Sequence, residues 1–207
     1  MQGGEAIFYV AILILSVMVH EVAHGFMAYK EGDSTAKVAG RLSLNPLKHI
    51  DPMGTIILPL LLVITNAGFI FGWAKPVPFN PNNFRNRRRG TFLVAFAGIW
   101  MNLIIALVFS LLIRFLPGSG ITTPALLSVF ASIVFINILL AIFNLVPVPP
   151  LDGSRILFSL LPARFFQYEA WLERYSLALV ILFVIFGWKF IIPLVFWLFS
   201  LLTGLPM

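Results

Sequence analysis

Long apolar runs alternate with short polar segments along this chain. The runs cover approximately residues 6–29, 91–115, 124–146 and 176–203. Each reaches the ~20 residues that an α-helix needs to cross a bilayer. They are continuous rather than alternating, which argues against β-barrel strands. Residues 53–71 are also apolar, but Pro59, Asn66 and Gly68 interrupt them, with Gly72 just beyond. This stretch is predicted to be re-entrant, its irregular backbone buried in protein. Gly187-Trp188-Lys189 and Pro193 leave the last run open to one kinked span or two short ones. Turns are expected at Asn45-Pro46, Asp51-Pro52, Pro117-Gly118-Ser119-Gly120 and the proline cluster before Leu151. A short helix is predicted at 153–161 and a polar segment at 162–175. The expected fold is an all-α, polytopic helical membrane protein. It has four to six membrane segments in a single domain, 1–207.

Composition supports this class. Of 207 residues, 60% are hydrophobic and 11% charged, more apolar surface than a soluble domain of this size can hide. Cysteine is absent, which excludes disulfides and thiolate metal sites. The first run lacks a basic start, so no cleavable leader is expected. The net charge of +6 comes from clustered cations. Lys30, Lys37, Arg41 and Lys48 lie in one loop, and Lys75, Arg85, Arg87, Arg88 and Arg89 in the next. Arg155, Arg164 and Arg174 follow the 124–146 run, while the turn at 117–123 carries no charge. The positive-inside rule places the three basic segments in the cytoplasm. Two successive loops on one side are what make 53–71 a dip rather than a crossing. Arg85–Arg89 reads as a membrane-surface anchor and not a nucleic-acid patch, since few aromatics interleave it.

One polar cluster interrupts the first run: His20-Glu21-Val22-Ala23-His24. Between Glu5 and Lys30, Glu21 is the only formally charged side chain. Ionisable groups in a membrane span are costly and need a partner. Two histidines four residues apart point the same way from a helix and can reach one ion. Glu21 sits about 100° around the helix, where it can act as general base. This is the spacing of HExxH zinc hydrolysis. Zinc is the favoured metal, and it requires a third ligand. His49 and Asp152 are the candidates. Asp152 has a second reading, as the N-cap of the helix expected from Gly153. The ligand reading is favoured because Asp152 lies where an apolar span ends.

The combined motifs resemble the site-2 protease family of intramembrane zinc metalloproteases. HEVAH lies in a span, and Asn144-Leu-Val-Pro-Val-Pro-Pro-Leu-Asp152-Gly153 is similar to the family's N-x-x-P-x-x-P-x-D-G signature. Gly40-Arg-Leu-Ser-Leu-Asn-Pro46 is common in compact bacterial members, and Ala97-Gly-Ile-Trp-Met-Asn102 stands at the family's A-G-P-x-x-N, with Ile99 replacing proline. The resemblance implies that His20, His24 and Asp152 bind one zinc ion and that Glu21 is the catalytic base. It also implies that Asn144 binds the substrate backbone or stabilises the oxyanion. Asn144 and Asn102 can equally serve as interhelical hydrogen bonders. The expected substrate is a transmembrane protein or peptide within the lipid bilayer, and the expected site is the cell membrane of a prokaryote, opening towards the cytoplasm. No inserted PDZ or nucleotide-sensing domain is expected. The rival reading is a non-proteolytic metal-binding membrane protein, a carrier or scaffold. A carrier would be expected to show paired polar breaks in two halves, which this sequence lacks.

Overall fold

A computed structural model of the protein describes residues 3–65, 75–119 and 123–205. All regular structure among them is helical. In chain order the helices are α1 (Gly3–Lys30), α2 (Thr35–Val38), α3 (Leu58–Ile64), α4 (Arg87–Phe115), α5 (Pro124–Leu145), α6 (Asp152–Leu160), α7 (Phe166–Arg174) and α8 (Ser176–Thr203). Among the described residues, four helical segments are long and apolar enough to cross a membrane: Phe8–Lys30 in α1, and all of α4, α5 and α8.

The α4 boundary moves four residues ahead of the apolar run, because the Asn86 side chain accepts from Arg89 N and caps the helix. The last apolar run is one helix, so the two-span alternative is set aside. Gly187 there is a packing position rather than a break. It is buried, and an added Cβ would collide with the Phe183 ring. The segment 162–175, expected only to be polar, contains α7. Its first turn holds Glu169 and its last Arg174, matching the helix dipole. Residues 52–57 form a π-helical turn that runs into α3. Asn66, Gly68 and Gly72 lie outside the described residues.

The central element is α4, which packs on α1, α5, α6 and α8. Its buried row, Gly90, Val94, Gly98, Asn102, Ala106 and Ser110, recurs every four residues and is mostly small. Small side chains let membrane helices approach closely, where van der Waals contact replaces the hydrophobic drive that lipid cannot supply. A row of this period winds around the helix. Its first half meets α1, where Val94 packs with Ala28. Its second half joins the main core, where Ala106 and Ile113 pack against Val134 and Ile138 of α5 and Ile191, Val195 and Phe199 of α8. Asn137 of α5 donates to Ser16 Oγ of α1 at 2.9 Å. Such bonds contribute about 0.6 kcal/mol on average in a membrane, so this one orients the pair more than it stabilises it.

Charged side chains fasten the ends by holding main-chain carbonyls. Arg114 donates to Leu201 O and Leu202 O, tying the end of α4 to the end of α8. Arg88 donates to Ser159 O, Leu160 O and Leu161 O, tying the start of α4 to the end of α6. Asp33, fully buried after α1, accepts from Asn80 N at 2.7 Å, Asn83 Nδ2 at 2.7 Å and Thr35 Oγ1 at 2.5 Å. Burial pushes the Asp33 carboxyl up, but these hydrogen bonds outweigh it and hold it below its ordinary value. A depressed carboxylate stabilises the fold above its unfolded value near ~3.9 and loses that contribution as pH falls through the folded value. Amide exchange in detergent should therefore find Asn80 N–H protected from pH 7 to below the ordinary carboxylate range, with protection lost only in stronger acid. Asp33→Ala should remove it at every pH.

Candidate metal centre

Three donors converge in the interior. His20 and His24 stand one turn apart on α1, and Asp152 opens α6, which packs on α4 and α5. All three are buried. His20 Nε2 and His24 Nε2 are 2.9 Å apart, and each lies 3.1 Å from Asp152 Oδ2. Among the described residues, these are the His and carboxylate groups gathered closely enough to hold an ion together. Ligands about 2.0–2.1 Å from a tetrahedral zinc stand roughly 3.3 Å apart. The observed triangle is only slightly tighter. Two nitrogens and one carboxylate oxygen, with a fourth direction left to water or substrate, make the donor set of a catalytic zinc site.

The histidines are aimed by α4. His24 Nδ1 donates to Val94 O at 2.6 Å, which leaves the lone pair on Nε2, facing the other donors. His20 Nδ1 lies 3.1 Å from the amide of the fully buried Asn102. Between these two positions stands Gly98. A Cβ there would sit 2.6 Å from His20 Cε1, from His24 Cε1 and from His24 Nε2. Successive turns of α4 thus present a carbonyl, a gap and an amide to the two rings. Gly153, directly after Asp152, also has no room for a side chain: a Cβ would strike the backbone of Leu145.

Glu21 faces a different neighbour. Its Oε2 accepts from Val77 N at 2.8 Å. Val77 belongs to a non-helical stretch, 75–80, fastened on both sides. Lys75 N donates to His49 O at 2.9 Å, and Arg41 donates to Lys75 O at 2.7 Å and Pro76 O at 3.3 Å. At the far end, Asn80 N is held by Asp33. The stretch borders a cavity of about 850 Å³ that contains His20, Glu21, His24, Asn144 and Asp152. Arg87, Arg155, Glu169 and Glu173 also line this cavity. Burial raises the Glu169 carboxyl above its ordinary value and Glu173 adds to this, while Arg155 and Arg87 oppose it.

His20, Glu21, His24, Asp152 and Asn144 thus line one cavity. Asp152 does not cap its helix, because Leu151 is the N-cap residue and the carboxylate faces the histidines instead. His49 stands apart, its Nε2 donating to Ser43 O at 2.8 Å. Asn144 Nδ2 donates to Leu140 O on its own helix at 3.0 Å. Gly98, the Val94 carbonyl and the Val77 amide were not anticipated. The four-residue recurrence of small side chains from Gly90 is the signal that marks Gly98. A backbone amide arriving from residue 77 leaves no mark in side-chain pattern.

Among the described residues, four helices of membrane-spanning length accompany a buried His–His–Asp donor set that could hold a metal ion, with a glutamate beside it. The chain belongs to peptidase family M50, whose model matches residues 8–186. Two similar proteins carry the name "Putative zinc metalloprotease". YwhC of Bacillus subtilis is 41% identical over 90% of this chain and 81% of its own length. Rip2 of Mycobacterium tuberculosis strain H37Rv is 30% identical over 96% of this chain and 75% of its own length. No solved structure matches the chain significantly.

The gap at Gly98 gives a direct test. Gly98→Leu should drive α1 and α4 apart at the donors and abolish tight binding of a divalent metal, measured by elemental analysis of the purified protein. Gly90→Ala, whose Cβ would press on the Phe84 side chain and not on the donors, should shift Phe84 and keep the metal.

Proposed function

We propose that this chain is an intramembrane zinc endopeptidase whose catalytic groups are His20, Glu21, His24 and Asp152. The convergence of the two Nε2 atoms and Asp152 Oδ2 carries the reading. Membership of peptidase family M50 and the names of the relatives support zinc-dependent proteolysis, and they do not favour a carrier or scaffold.

In this reading His20, His24 and Asp152 hold the zinc ion. Zinc, when bound, polarises the scissile carbonyl and makes water acidic enough to attack near neutral pH. Glu21 takes the proton from the attacking water and returns it to the leaving amine. Its bond from Val77 N holds one carboxylate oxygen in place while the group works. Asn144 lines the same cavity and spends one amide proton on Leu140 O. The amide has a second proton, which we assign to the substrate carbonyl or the developing oxyanion.

The substrate is a membrane protein, cut within or near a transmembrane helix. Helical carbonyls are hidden in hydrogen bonds, so the segment must unwind locally before attack. The prolines at 76, 78 and 81 line the cavity, and we assign this edge to substrate entry. The cavity is lined by Arg87 and Arg88 at the start of α4 and Arg155 in α6, cations of the basic segments, which supports an opening towards the cytoplasm. The expected setting is the cell membrane of a prokaryote. The continuous helical run 52–64, the π-helical turn and α3 together, rises less than about 20 Å, against a bilayer core of ~30 Å. This supports a re-entrant 53–71 inside one protease domain, 1–207.

Glu21→Gln should keep zinc and lower cleavage of a single-span substrate by at least about 10²-fold. Full activity in that variant would sink the mechanism. Zinc measured in parallel should fall in Asp152→Ala and stay at the wild-type level in His49→Ala.

A further inference from the structure

His20 and His24 are not oriented alike. His24 has an unambiguous partner: its Nδ1–H meets a main-chain carbonyl, which can only accept. His20 Nδ1 meets the side-chain amide of Asn102. With the amide nitrogen turned to the ring, Nδ1 must accept, and the proton of neutral His20 moves to Nε2. That proton would then point at His24 Nε2, 2.9 Å away, and at Asp152 Oδ2, 3.1 Å away, where the ion's electron pair is needed. Asn102 Oδ1 is buried with no hydrogen-bond partner in that orientation, and exchanging the two ends puts Nδ2 in its place, so the choice rests on which way the His20 Nε2 lone pair must face. The two ends of the amide are nearly the same size, so half a turn about its last bond exchanges them without moving a neighbour. Oxygen then accepts from Nδ1–H, and the Nε2 lone pair faces the other two donors.

We propose that Asn102 is a positioning residue for the metal. Its side-chain oxygen accepts from His20 Nδ1–H and holds His20 in the tautomer that can ligate through Nε2. This rests on the zinc reading of the His20–His24–Asp152 centre. The division of labour follows from helix α4. Val94 and Asn102 lie eight residues apart, and each serves one histidine, with Gly98 leaving room for both rings between them. Val94 uses its backbone because its carbonyl faces His24 directly. Asn102 must use a side chain, and asparagine supplies an acceptor oxygen without adding charge to the membrane interior. Outer partners of this kind typically change metal affinity 10–100-fold when removed.

Two nearly isosteric substitutions separate the possible roles. Asn102→Leu has neither donor nor acceptor. Asn102→Asp keeps an acceptor and, when ionised, has no donor. The zinc dissociation constant of the full-length protein in detergent is measured by chelator competition for wild type, His20→Ala, Asn102→Leu and Asn102→Asp. Cleavage of a single-span substrate and thermal unfolding of the zinc-free forms are followed alongside. Wild type should bind one zinc tightly, with His20→Ala severely weakened. Asn102→Leu should weaken zinc 10–100-fold with the zinc-free form still folded, and Asn102→Asp should stay near wild type. Equal affinity in Asn102→Leu and wild type would overturn the proposal, leaving Asn102 an interhelical bond only. An Asn102→Asp variant as weak as His20→Ala would also overturn it, because a donor rather than an acceptor would then be required. That comparison decides the matter even if Asn102→Leu does not fold. If wild type binds zinc no better than His20→Ala, the zinc reading fails first and the proposal falls with it.

Discussion

The approach of α1 to α4 at Gly98 is the constraint on which the rest of this molecule depends. Two imidazoles and a carboxylate have been carried into an interior with little water. Each polar atom there must find a partner or raise the energy of the fold. The side of α4 that meets them satisfies that demand with a carbonyl on one turn and an amide two turns later. It can do so only because the intervening turn has no side chain. A helix pair spaced by ordinary aliphatic residues would hold the rings too far from α4 for either bond. The small-residue row along α4 is therefore as much a part of the centre as the donors themselves.

A second principle runs through the polar periphery. Arg41, Arg88 and Arg114 all donate to main-chain carbonyls, and Asp33 and Glu21 both accept from main-chain amides. Few of these charges are spent on each other. They fix backbone where loops meet helices, and they do so around the cavity and at the far end of α4. The stretch 75–80 shows the benefit. With prolines at 76 and 78 it has few amides of its own to offer a neighbour. Clamps at both ends place the amide of Val77 against Glu21.

Much of this was legible in the sequence, for identifiable reasons. The four spans follow from apolar run length, because a bilayer imposes one length on every crossing helix. The pairing of His20 with His24 follows from a four-residue step on a helix. Asp152 was reachable because a carboxylate at the end of an apolar span has few stable roles, although its cap reading could be discarded only once Leu151 was seen in the N-cap position. Helix α7 is hard to read from sequence because nine residues of a polar, charged segment make too few turns to establish an apolar stripe. The unbroken α8 went undecided because Gly187 looks alike in sequence whether it breaks a helix or packs under a ring. The partner of Glu21 was beyond reach, since a main-chain amide from 56 residues away carries no side-chain signature.

The order of the donors along the chain has a consequence for how the molecule comes into being. His20 and His24 leave the ribosome before Asp152, which follows 128 residues after His24. Until α4 and α5 have been made and packed, the first helix has a pair of imidazoles with no acidic companion and no walls around them. Synthesis and site assembly are thereby separated: the growing polypeptide enters the membrane without a complete donor set, and completeness arrives only when the bundle has closed.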